Sequence, residues 1–210
     1  MEYRFGTRRE CFDGEATVLK EDGSSCSMKY LNVGDRILVS SYSSDNKLIT
    51  KYSTVLAIDV YQYFDLKSPV EYLEIHTSLT NLQPLHITAA HSLLVKKQNS
   101  TGEKYLFARE IHSGDSIYLV NKENMVEEVH VTEVKQTTSY DAYVPLTYEG
   151  TLVVNQALVS CYGTVTHNVG HLIKAPRRWW YKVIYDLLDS NKRDMSSSIL
   201  HMLENILLSV

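Results

Sequence analysis

Nothing in these 210 residues reads as a membrane-spanning helix, because no run of about 18 apolar residues occurs. Basic residues are also scarce: 21 Lys and Arg stand against 25 Asp and Glu, giving a net charge of −4. No basic stripe is left to neutralise phosphates, which argues against a nucleic-acid partner. Cysteine is limited to Cys11, Cys26 and Cys161. An odd count leaves at least one thiol free or paired only part of the time, unlike secreted scaffolds that pair all of theirs. The segment from Met1 to Glu10 is charged and has no apolar h-region, so no export signal is expected within it. Phenylalanine is rare too, 4 against 15 Tyr. Together with many Val, Thr and Ile, the tyrosines favour strands over helices. With 44% hydrophobic and 22% charged residues, the chain reads as globular, long enough for one well-filled core plus an appendage.

The strand-rich part contains a repeat. Asp22-Gly23 followed by Leu31-Asn32-Val33-Gly34-Asp35-Arg36-Ile37-Leu38-Val39 matches Thr101-Gly102 followed by Ile111-His112-Ser113-Gly114-Asp115-Ser116-Ile117-Tyr118-Leu119. Each copy has a hairpin-type turn, a connecting segment, a Gly-Asp turn and an alternating apolar strand. Val-rich strands follow at 54–59 and 126–136, and apolar strand pairs close the halves at 85–95 and 151–162. His91 falls in the first closing block, and Ala157 has the comparable place in the second. A duplicated all-β unit with pseudo-two-fold symmetry is expected. No helical period occurs before residue 166.

The tail changes character. Over 176–189, Trp180, Ile184 and Leu188 lie four apart beside Trp179, Val183 and Leu187, and Pro176 suits a first helical turn. Over 196–210, Ile199, Leu203, Ile206, Leu207 and Val210 form a second stripe after a capping serine run. A 15-residue helix reaches only about 22 Å, so such helices lie on a bilayer rather than cross it. Packing of both on the β domain is the plainer alternative.

Three motifs carry the chemistry. Cys11 stands at the start of the β-rich region, within Arg9-Glu10-Cys11-Phe12-Asp13-Gly14. Leu85-His86-Ile87-Thr88-Ala89-Ala90-His91 sets a hydroxyl three residues before an imidazole, and Ser160-Cys161-Tyr162 closes the repeat. Thiols are intrinsically strong nucleophiles, and histidine titrates near neutrality. His91 is one of 8 histidines, and His86 in the same segment is its nearest rival.

A leading Cys, a Thr-x-x-His block and a closing Ser-Cys-Tyr, in this order and spacing, resemble the C-terminal autoprocessing domain of Hedgehog proteins, within the wider Hint (hedgehog/intein) group. The resemblance runs from about residue 9 to about 176. It implies an all-β fold, the pseudo-two-fold Hint β disc, with a short helical C-terminal tail. It divides the chain into an upstream remnant at 1–10, a Hint domain at 11–165 and a sterol-recognition region at 166–210. The implied substrate is the chain's own backbone. Cys11 attacks the carbonyl of Glu10 and turns the Glu10–Cys11 amide into a thioester by an N-to-S acyl shift. Thr88 holds the scissile peptide, and His91 protonates the departing amine. Asp59, at the end of the strand 54–59, is the implied base for a sterol hydroxyl that takes the thioester, with Asp65 as the rival.

The closer match at Tyr143-Val144-Pro145-Leu146-Thr147 points to cholesterol as co-substrate, with no metal and no cofactor. Trp179, Trp180, Ile184, Leu187, Leu203, Ile206 and Leu207 are the implied sterol-binding residues, and the tail helices the implied contact with a membrane surface. The location implied is the endoplasmic reticulum lumen and secretory pathway, in the C-terminal part of a secreted precursor whose N-terminal domain is the substrate. Cys161 is read either as a buried small hydrophobe or as a reversible disulfide partner of Cys11, and Cys26 as packing.

One departure stands out: the family has Gly before the catalytic Cys, and this chain has Glu10. A bulky anion there slows the first step or reflects an altered upstream sequence. Alternatives are intein-like splicing at His167-Asn168, a silent sterol- or membrane-binding scaffold, and a papain-like hydrolase. The splicing pair is weakened by its register, by Val169 as a non-nucleophile and by the 42 residues that follow it.

Overall fold

The structure, a computed structural model, describes residues 11–162, 171–173 and 175–190, without the side chains of 185–190. In chain order, β1 (Thr17–Leu19) and β2 (Ser25–Ser27) form a small hairpin. Then follow β3 (Arg36–Tyr42), β4 (Leu48–Gln62), β5 (Val70–Thr77), β6 (Leu85–Ile87), β7 (Ser92–Lys96) and β8 (Glu103–Phe107). After them come β9 (Ser116–Val120), β10 (Val126–Ser139), β11 (Ala142–Thr147), β12 (Thr151–Val154) and β13 (Ala157–Ser160). The α-helix α1 (Ala175–Ser190) matches the expected 176–189 within a residue at each end, and 171–173 just before it are helical as well. The stripe at 196–210, and with it Leu203, Ile206 and Leu207, lies outside the described residues, as do Glu10 and the His167-Asn168 pair.

The repeat is visible hydrogen bond by hydrogen bond. Each copy runs through one turn of 3-10 helix, Met28–Tyr30 and Ala108–Glu110, to a glycine with positive φ, Gly34 at 95° and Gly114 at 93°. Only glycine takes that backbone without steric cost, so the Gly-Asp pair marks the turn in both halves. Gly34 N–H donates to Val55 O and Gly114 N–H to Val131 O, each at 2.9 Å; Val55 and Val131 N–H return to Asp35 and Asp115 O, each at 2.8 Å. Lys20 and Lys97 reach the same two aspartates, both at 2.8 Å. Identical local wiring at matching positions is duplication.

The halves are interlocked rather than side by side. Antiparallel β5 of the first half pairs with β10 of the second, and β11 of the second with β4 of the first. The main core draws on both, with Phe12, Ile37, Val39, Val55, Ile75, Leu93, Ile117, Leu152 and Val159 in one cluster. Full burial of such side chains stabilises by about 1.5–3 kcal/mol each, so neither half holds its core alone.

Two expected strands prove longer than the sequence suggested. The strand expected at 54–59 extends to Leu48–Gln62, and that at 126–136 to Val126–Ser139. Asp59 therefore lies inside β4 rather than at its end. Pairing with β11, down to Ala142 opposite Gln62, carries the ladder through the aspartate. Tertiary pairing overrides the weak strand preference of Asp.

Candidate active site

Phe12 docks the start of the disc. It bridges Ile87 on one side and Tyr143 on the other, both antiparallel, and exchanges backbone bonds of 2.9 and 3.0 Å with Tyr143. One residue back in each register, Cys11 stands between Thr88 and Val144. The register of β11 on β4 then sets Val144 opposite Asp59. Cross-strand neighbours share a face, because side chains alternate along a strand. Thr88, Cys11, Val144 and Asp59 thus form one row across adjacent chain segments. With strands about 4.8 Å apart, the backbones of Cys11 and Asp59 lie roughly 10 Å from each other. The sequence pattern placed these residues in one family motif; only the pairing lines them up.

Cys11 is fully buried, in a small cluster with Val70, Tyr72, Ala142 and Val144. Its backbone N–H, the nitrogen of the Glu10–Cys11 peptide, donates to Thr88 Oγ1 at 2.9 Å. Thr88 N–H returns to Cys11 O at 3.3 Å, so the threonine holds the residue from both sides.

His91 reaches the same place by a turn, its own N–H donating to Thr88 O at 2.9 Å. Its ring is completely buried and lies 4.3 Å from the ring of Phe12. Nε2 lies 2.6 Å from Ser160 O. A carbonyl only accepts, so Nε2 carries the hydrogen and Nδ1 is left with a lone pair. Nδ1 has no hydrogen-bond partner among the described residues. Burial pushes the His91 pKa down to about 4, only partly offset by the bond to Ser160. The ring is neutral at neutral pH and cannot hold a stored proton. That changes the route open to it, because the near-neutral value of a free imidazole does not survive burial.

His86, the rival histidine, faces elsewhere. Its Nδ1 lies 3.4 Å from the buried Asp13, and its Nε2 3.9 Å from Glu74. The hydrogen bond to Asp13 raises its pKa. Asp65, the rival carboxylate, caps a turn by accepting from Lys67 N–H at 2.9 Å.

Cys161 packs in the main core, its sulfur 3.6 Å from Thr147 Oγ1, and burial pushes its thiol up to about 12. It is a protonated thiol at neutral pH. The three cysteines form no disulfide in this structure, and Cys11 and Cys161 sit in different clusters. Among the tail residues, Trp179 and Trp180 are exposed, Ile184 is half-buried, and Leu187 lies on α1 without a described side chain. Leu172 and Ile173 are exposed beside them.

Sequence reasoning missed Arg177, whose guanidinium lies on Asp59, and Val144, which stands between Cys11 and Asp59. It also assigned no role to the Ser160 carbonyl. Val144 and Ser160 stand inside segments the sequence does mark, but their roles come from the backbone pairing, and no motif marks Arg177. Among the described residues, no cluster of His, Cys, Asp or Glu has metal-holding geometry, and no helix is long and apolar enough to cross a membrane.

An interlocked, duplicated β disc with a Cys, a Thr and a His gathered on one edge of its core is a Hint-type domain, the class that hedgehog and intein domains share. The chain belongs to the Hint module family, whose model matches residues 4–209. It is 35% identical to the sonic hedgehog protein of Xenopus laevis over 80% of this chain and 37% of that protein. It is 28% identical to the sonic hedgehog protein of Danio rerio over 90% of this chain and 44% of that protein. The chain thus spans less than half the length of these curated relatives. Among solved structures it is similar to a DnaB intein from Synechocystis, with a TM-score of 0.56 at 14% identity over 72% of this chain and 97% of the other. A bacterial intein-like domain from Clostridium thermocellum gives 0.53 at 18% identity, over 73% and 99%. At such identities the likeness is one of fold.

Proposed function

We propose that this chain is the self-processing part of a hedgehog-type precursor, cleaving the Glu10–Cys11 bond and passing the upstream segment to a sterol hydroxyl. The observation that carries the reading is the Cys11 N–H bound to Thr88 Oγ1 within a row that ends at Asp59. A peptide nitrogen held by a hydroxyl, beside a buried imidazole with a bare nitrogen, is suited to an acyl shift.

The first step moves one proton around a closed circuit. His91 Nδ1 takes the proton of the Cys11 thiol while the sulfur attacks the Glu10 carbonyl carbon. The imidazolium then gives that proton to the Cys11 nitrogen as the C–N bond breaks. A neutral His91 at rest is the form this circuit needs, because the thiol is the proton source. Thr88 keeps the nitrogen in line, and the Ser160 carbonyl fixes the tautomer that leaves Nδ1 bare.

The second step is transfer, with Asp59 receiving the proton of the attacking hydroxyl. The proposed chemistry draws on no metal or cofactor, only on the lipid as co-substrate. Exposed Leu172, Ile173, Trp179 and Trp180 supply an apolar surface at the helix that also contacts Asp59, suited to a sterol or a membrane surface. The setting proposed is the secretory pathway, with the upstream domain of the precursor as the other substrate. Mass spectrometry tests the reading. Dithiothreitol should release Met1–Glu10 as a thioester adduct, and cholesterol should yield its ester; a chain that stays whole under both overturns it.

A further inference from the structure

Two neighbouring arginines open α1 with different contacts. Arg178 is buried, and its guanidinium donates to the carbonyls of Tyr148 and of His171, the latter at 2.7 Å. That anchors the helix to the turn after β11. Arg177 is half-exposed and reaches β4 instead. Its two terminal nitrogens donate one to each oxygen of Asp59, at 3.3 and 3.1 Å. The Tyr181 ring, one turn along α1, lies 5.5 Å from its guanidinium carbon.

An ion pair this exposed contributes little to stability, and Arg178 already docks the helix. The fork does something else: two parallel bonds fix the plane of the carboxylate. Each carboxylate oxygen has two lone pairs, so one guanidinium nitrogen on each leaves a further acceptor site on both. Val144 stands across from Asp59 in the direction of Cys11.

We infer that Arg177 is a positioning residue for transfer, turning the Asp59 carboxylate toward the Cys11 row and tying it to the helix with the exposed apolar side chains. The inference rests on the proposed role of Asp59 as base. In the step concerned, the hydroxyl oxygen bonds to the thioester carbonyl carbon and its proton passes to Asp59. The C–S bond breaks with its electron pair on Cys11 sulfur, which recovers a proton from Asp59. Arg177 exchanges no proton. It sets where the accepting oxygen stands and how far that oxygen lies from the lipid-facing surface.

The test uses the full chain with cholesterol in detergent micelles. It measures the maximal first-order rate of ester formation and the half-saturating sterol concentration separately, with dithiothreitol cleavage as the check of folding. Arg177→Ala should lower the maximal rate about tenfold or more while the half-saturating concentration changes less than about twofold. Arg177→Lys, which keeps the charge without the fork, should recover part of the rate. Combining Arg177→Ala with Asp59→Ala should cost no more than Asp59→Ala alone, because the arginine acts through the aspartate. An Arg177→Ala chain that transfers at the parent rate, or that changes only the half-saturating concentration, overturns the inference. If Asp59→Ala itself transfers at the parent rate, the base assignment falls and the inference with it. Loss in Asp59→Ala with none in Arg177→Ala removes the inference alone.

Discussion

His91 and Ser160 lie 69 residues apart, yet the 2.6 Å bond from Nε2–H to the Ser160 carbonyl joins the closing strands of the two halves. It fixes the tautomer of the ring, and burial fixes its charge. Both have consequences that can be measured.

The first is a stability slope in mild acid. The folded pKa of about 4 lies below the ordinary histidine value of about 6.5, so the unfolded chain binds the proton more readily. The contribution is complete above about pH 6.5 and is lost as the pH falls toward 4, about 3 kcal/mol in all. His86 acts in the opposite sense, because its pKa is raised. Urea midpoints between pH 7 and 5 should fall more steeply in the parent than in His91→Gln. Equal slopes would mean that the ring is not held neutral.

A second expectation concerns the thioester. Cys11→Ala should abolish every dithiothreitol product, since no other side chain can form the acyl link. Thr88→Val keeps the shape and removes the acceptor of the Cys11 N–H, and should slow cleavage by up to about 100-fold. His91→Gln keeps a donor for Ser160 but has no basic nitrogen, and should block the step. The comparison is read by mass after a large excess of thiol. Cleavage at the parent rate in His91→Gln would move the proton work to His86 or to water.

Transfer separates from thioester formation at Asp59. A small thiol brings its own thiolate, so Asp59→Ala should still release Met1–Glu10 with dithiothreitol and lose the sterol ester. Removal of residues 176–210 should likewise keep the dithiothreitol product and lose the ester, because it takes away both Arg177 and the apolar surface, the latter worth roughly 25 cal/mol per Å² of buried sterol. Ester formed by the truncated chain would leave the tail a packing role only.

Cys161 offers a redox test. Its thiol, pushed up to about 12, should react slowly with iodoacetamide in the folded chain and fast in urea. If it pairs with Cys11 under oxidation, cleavage should stop reversibly, and Cys161→Ser should resist. Continued cleavage by the oxidised parent, with no mass loss for a disulfide, excludes the pair.

How much of this was legible beforehand follows from what each feature depends on. Turn chemistry is local, so Gly34-Asp35 and Gly114-Asp115 declared the duplication, and the period of four around Trp180 declared α1. Thr88-x-x-His91 was readable because one turn joins the two residues through the His91 N–H and the Thr88 carbonyl. Strand ends were not: β4 continues past Asp59 because β11 lies beside it, and nothing within 54–62 records that neighbour.

The chain's own order of residues determined the β-rich duplicated disc, the apolar helix after it and the identity of Cys11, Thr88, His91 and Asp59 as the residues to watch. Tertiary structure alone decided their working state. The row from Thr88 to Asp59 depends on pairing between segments far apart in sequence. The neutral ring of His91 depends on burial, and its tautomer on a carbonyl from the other half. The fork of Arg177 on Asp59 spans 118 residues. Propensity and periodicity act over a few residues, whereas register, desolvation and charge pairing depend on which distant segments the folded core brings together.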